Sequence, residues 1–222
     1  MRPSWLAAAA LGLALVTFGW LSTTGVHPIT AAGAYLSLIV YGGLGYGLAP
    51  SLHRRDPRLL GWIAQFGLLA GAIFLGEMAL EYLLLPADNT RWGQVEYGSV
   101  FLLFFAASLM ATFRTGQTRL GVLAGLGSAL LASLLFVIFV LGFFYTFRGT
   151  PQQAQVFRAE GNYADFANSG LSDFNVFVVE DFFGAAFFHS LLVPLGAAVV
   201  STLGGLVGKV LSHKSPRGLG GP

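Results

Sequence analysis

Cysteine is absent from the 222 residues. That excludes disulfides, thiolate nucleophiles, Cys-ligated zinc and iron–sulfur clusters. Charge is scarce as well, at 10% of residues, where soluble domains carry about 25%. No run of Lys and Arg interleaved with aromatics suggests a nucleic-acid surface. The sequence contains no HExxH, no GxSxG and no paired-Asp motif, so nothing in it argues for an enzyme. Ser190 does follow His189, but adjacent positions on a helix point apart and do not make a nucleophile–base pair.

What is present is apolar. Hydrophobic residues make up 55% of the chain, with 30 Gly and 20 Phe. This is the profile of membrane helices, in which Gly lets backbones approach closely. A span needs about 20 mostly apolar residues, and six segments meet that requirement: about 5–24, 31–50, 59–85, 96–113, 120–147 and 183–211. The expected fold is therefore all-α, a polytopic bundle of six transmembrane helices. An outer connection over 148–182 and a flexible tail over 213–222 complete it. The first segment also has signal-peptide character, with Arg2 ahead of an apolar run, but it lacks a clean A-x-A site.

Lys and Arg in short loops set orientation. With the N-terminus inside, nine basic residues fall inside and three outside, while nine of the ten acidic residues fall outside. Both termini are thus expected on the cytoplasmic side of an inner membrane. In the outer connection, Thr150, Pro151 and Gln153 read as a helix start with a capping box. Gly161 reads as that helix's stop. Ser172 reads as the cap of a second helix that presents Phe174, Phe177, Val178 and Phe182 to the membrane interface; the alternative is an ordinary loop with a few aromatics tucked onto the bundle.

Small residues recur at four-residue spacing: Gly121 with Gly125, then Ala197, Ser201 and Gly205, with further pairs at Gly43/Gly47 and Gly67/Gly71. Such stripes pack helices closely, either within the chain or against a neighbouring subunit.

The candidate chemistry lies in GAIFLGEMALEYLLLP, residues 71–86, where Glu77 and Glu81 share one helix face. With the outer boundary near Pro86, a rise of about 1.5 Å per residue puts Glu77 roughly 13 Å deep and Glu81 about 7 Å. Two carboxylates that close cannot both ionise cheaply in low dielectric, which suits proton exchange or half of a cation site. His189 in the sixth segment would add an imidazole. Three readings follow. The pair is neutralised by Arg91 or Arg148, or by hydrogen bonds to Tyr82, Tyr97 and Ser99; or it lines a cation or proton pathway opening outward; or His189 joins Glu77, Glu81 or His27 in a metal or haem site. Glu96, Glu180 and Asp181 extend the acidic character into an outer surface that could receive a basic soluble partner. The sequence names no cofactor. Composition and stripes point first to a non-catalytic structural or accessory subunit, in contact with the lipid bilayer and other membrane subunits. They point second to a transporter of a small solute, cation or proton using the outer carboxylates.

Overall fold

The computed structural model describes residues 2–84 and 90–214; the boundary at Pro86 and the tail from 215 onward lie outside the described residues. Those described are 91% helical without strands, an all-α bundle with six helices long and apolar enough to span a membrane. The chain is an integral membrane protein. The elements are α1 (Arg2–Ser22), α2 (Pro28–Arg55), α3 (Pro57–Ala79) continued by a π turn (Leu80–Leu84), α4 (Thr90–Thr115), α5 (Thr118–Thr146), two short helices α6 (Pro151–Ala159) and α7 (Asn162–Ser169), and α8 (Phe174–Lys214). Leu21, Ile29, Leu36, Leu195 and Val199 are among the large apolar side chains that face outward, as expected where lipid rather than water is the solvent.

The most apolar helix, α5, sits centrally and packs on α1, α2, α3, α4 and α8. Its small residues make this possible. A Cβ on Gly125 would lie 2.7 Å from Ser201 Cβ and 2.9 Å from the Phe104 carbonyl oxygen, so α5 meets α4 and α8 nearly backbone to backbone. Gly121 meets Thr112 and the Ser108 backbone in the same way, and Gly205 lies against Thr118. Ala197 and Ser201 are fully buried, and Ser108 Oγ donates to the Ser201 carbonyl at 2.5 Å. These stripes are thus spent inside the chain. On α2 the working register differs from the expected one: Gly42 and Gly45 receive Ala9 and Trp5 of α1, while nothing approaches Gly43 or Gly47. Trp5 is buried in that contact.

Two prolines lie inside helices, Pro50 in α2 and Pro194 in α8. A proline has no N–H to offer the carbonyl four residues earlier. For Pro194 that carbonyl belongs to Ser190, and the Tyr41 hydroxyl donates to it from α2. A neighbouring helix re-satisfies the freed acceptor, and α8 stays continuous.

The connection after α5 also differs in part from expectation. Thr150 caps α6 by accepting from Gln153 N at 3.3 Å, with Pro151 in the first turn, and Gly161 breaks the helix at φ 82°. A further helix, α7, follows at once. The long helix α8 then starts at Phe174, well before position 183, because Asp173 rather than Ser172 accepts from Asn175 N at 2.8 Å. The Phe174 and Phe177 rings pack on Tyr163 and Phe166 of α7, with centroids 4.8 Å apart for Tyr163–Phe174 and 5.6 Å for Phe166–Phe177. The aromatic face chosen for the membrane interface is covered by α6 and α7 instead.

Two outcomes are expected for the protein in detergent. Gly125→Val forces α5 away from the α4 backbone and destabilises by roughly 1–3 kcal/mol, whereas Gly43→Val, in open space, leaves the thermal midpoint nearly unchanged. Tyr41→Phe strands the Ser190 carbonyl and costs about 1 kcal/mol, read from the same melting curves.

Candidate functional site

At the end of the bundle where α6 and α7 lie, α3, α4, α5 and α8 splay around a cavity of about 260 Å³. Glu77 reaches it from the last turn of α3, and Glu81 with Tyr82 from the π turn. The π turn begins where the Leu80 N–H is shared between the Gly76 and Glu77 carbonyls. Widened turns of this kind displace side chains from the α-helical face and recur at functional sites. Asp181, Phe182 and His189 come from α8, Tyr97 from α4 and Phe136 from α5, while Glu160, just past α6, stands at the mouth.

The structure therefore brings Glu77, Glu81 and His189 to one cavity, together with Asp181, and adds Glu160, which sequence reasoning did not single out. No linear spacing announces Glu160; only the folding of α6 back across the π turn places it there. That same crossing decides burial. Depth along the span suggested that Glu77 would be the hidden carboxylate and Glu81 the interfacial one. Instead Glu81 is 8% exposed and Glu77 is half-buried.

The expected outer acidic surface is largely not a surface. Glu96 is only 5% exposed, two turns inside α4 and beside the cavity. Its nearest charged neighbour is Glu77, which is close enough to act on it as a hydrogen-bonding group, yet neither Glu96 oxygen makes a hydrogen bond of ordinary geometry among the described residues. Glu180 points the other way and accepts from the His27 backbone N–H at 2.5 Å, tying α8 to the α1–α2 turn. Only Asp181 is exposed, and the Asn162 amide donates to it at 3.1 Å.

Neutralisation by Arg148 does not occur. Its guanidinium donates to the Ser22 and Thr23 hydroxyls, at 3.3 Å each. No lysine or arginine lines the cavity among the described residues. His189 stacks between Phe136 and Tyr97, with centroids at 4.8 Å and 6.0 Å, and its Nδ1 lies 2.8 Å from the Ala185 carbonyl. A carbonyl oxygen only accepts, so Nδ1 carries the proton, and when the ring is neutral Nε2 is the acceptor. His27 is remote from this place: it caps α2, with Nδ1 accepting from Ile29 N at 3.3 Å. No three His, Asp or Glu side chains are grouped to hold a metal ion among the described residues.

At the mouth, burial pushes the Glu160 carboxyl up to about 8, and the charges of Glu81, Asp181 and Glu77 push it the same way. The residue as a whole is exposed, and water there weakens the repulsion; what stands is the upward direction. No family model, curated protein or solved structure matches the chain.

A carboxyl held more protonated in the fold than in the unfolded chain stabilises the fold at low pH. That contribution is lost as pH rises from the ordinary value of 4.5 towards about 8. The thermal midpoint of the wild type should therefore fall across this window relative to Glu160→Gln, which lacks the titration. Parallel melting profiles of the two proteins would argue against a raised Glu160.

Proposed function

We propose that this membrane protein captures a cation in the cavity beside α6 and α7, without catalysing a reaction. One observation carries the reading: four carboxylates, Glu77, Glu81, Glu160 and Asp181, line one cavity whose lining includes no lysine or arginine among the described residues. Like charges gathered in a partly dry space repel one another unless protons or a cation neutralise them. The cytoplasmic placement of both termini, expected from the Lys and Arg distribution, would make it open to the outside of an inner membrane.

The floor favours capture over free passage. Phe74 is fully buried, and its ring lies against Phe136 at 5.0 Å and Tyr97 at 6.4 Å. A ligand in the cavity would go further only by a change of conformation or with other membrane subunits. An accessory role in a larger assembly is therefore compatible with cation capture, but it no longer rests on the stripes at Gly67/Gly71, Gly121/Gly125 and Ala197/Ser201/Gly205, which are used within the chain. A basic protein partner has less in its favour than a small cation, since Glu96 is buried and Glu180 is engaged by the His27 backbone N–H. Hydrolysis has none: the Ser190 hydroxyl donates to the Phe187 carbonyl at 2.8 Å and has no histidine as its acceptor.

The test is ligand-dependent stabilisation of the protein in lipid nanodiscs, with inorganic and organic cations compared at constant ionic strength. At least one class should raise the thermal midpoint saturably. The Glu77→Gln/Glu160→Gln double variant should need at least tenfold more ligand, while Asp56→Asn, which keeps an N-cap at the opposite end, should behave as wild type. A midpoint that no cation moves would overturn the proposal.

A further inference from the structure

Resting on the cation reading above, we infer that the ligand is a small organic ammonium, seated by aromatic rings as well as by carboxylates, and not an inorganic ion. Size is the first reason. The cavity's 260 Å³ is room for roughly nine waters at about 30 Å³ each. A bare metal ion would occupy a small part of it, and the grouping of three ligands that such an ion needs is missing among the described residues.

The walls are the second reason. Besides the carboxylates, the lining includes Tyr97, Phe136, Phe182 and His189, from three different helices. Inorganic cations seek oxygen shells at short range, and a wall of rings offers them nothing. An ammonium with an apolar body uses both halves of such a site: its charge meets the carboxylates and ring faces, and its methylenes are removed from water by the rings.

A third observation is independent of the charges. Tyr82 is 1% exposed and lines the cavity, yet its hydroxyl has no hydrogen-bond partner among the described residues. Gln153 lies nearby, its amide donating to the Phe144 carbonyl and accepting from Gly149 N, each at 2.9 Å, but no hydrogen bond of ordinary geometry joins it to that hydroxyl. A buried hydroxyl normally finds a partner. An ammonium N–H in the cavity would supply a donor to it, and a second N–H would find the Nε2 acceptor that the tautomer of His189 leaves available.

Binding of butylammonium, sodium and calcium to the protein in nanodiscs tests the inference, with isothermal titration as the readout. Butylammonium should bind at least tenfold more tightly than either inorganic ion. Phe136→Leu and Tyr97→Leu should each lower the ratio of butylammonium to sodium affinity roughly three- to tenfold, the range expected for loss of one ring. The unliganded melting temperature reports whether each variant is folded, and the half-buried Tyr97 serves if Phe136→Leu is not. Sodium or calcium binding as tightly as butylammonium would overturn the organic-ammonium assignment and leave cation capture standing; so would an unchanged affinity ratio in a folded variant. Binding of none of the three, with no other cation stabilising the protein, would overturn both.

Discussion

Close approach of α5 to its neighbours at Gly121 and Gly125 is the contact on which the remaining geometry depends. In hydrocarbon there is no water to expel between helices, so association relies on close packing and on hydrogen bonds between segments. Small residues let α4, α5 and α8 touch at the end where the termini lie, and the Ser108–Ser201 hydrogen bond locks the contact. Lys209 adds a clasp there by donating to the Gly116 carbonyl at 2.7 Å. Towards the other end the small residues give way to Phe136, Phe143 and Phe144 on α5 and to Phe182 and Phe183 on α8. Bulkier side chains and the crossing α6 leave space between the helices, and that space is the cavity.

The acidic residues follow from the same division. Where the helices are in contact there is no room for a solvated charge, and the buried polar groups are small hydroxyls such as Ser108, Thr112 and Ser201. Where the helices part, carboxylates are tolerated because each can share the cavity. Glu96 marks the boundary, enclosed by protein with the carboxylates of Glu77 and Glu81 acting on it. Such a group is retained at a cost to stability, which is the usual mark of a residue kept for what it does.

Much of the fold was legible from the chain, because span length and apolarity are one-dimensional properties. Six runs of sufficient length became six long helices, and the caps at Thr150 and Gly161 were readable from local chemistry. Features decided by a second helix were not. How α8 continues through Pro194 depends on Tyr41 of α2, which donates to the Ser190 carbonyl. Gly43 and Gly47 had the spacing of a packing pair, but rotation of α2 about its axis put Gly42 and Gly45 against α1. The site divides in the same manner. Glu77, Glu81 and His189 stood out as polar groups in apolar segments. Glu160 sits in a polar stretch where an acid is unremarkable, and the burial of Glu96 needed the position of α3 to be known.

The π turn at Leu80–Leu84 has a consequence for how the cavity could move. An i→i+5 ladder takes up one more residue in a turn than an α-helix does, so this wall is built from backbone with a second hydrogen-bonding register close at hand. Shifting the carbonyls by one partner would swing Glu81 and Tyr82 together around the helix axis while leaving α3 below them anchored to α5 through Gly67 and Gly71. The shape of the cavity and the pitch of one turn of backbone are thus a single degree of freedom: a ligand that pulls on those two side chains pulls on the helix ladder, and the extra residue is the slack that lets it answer.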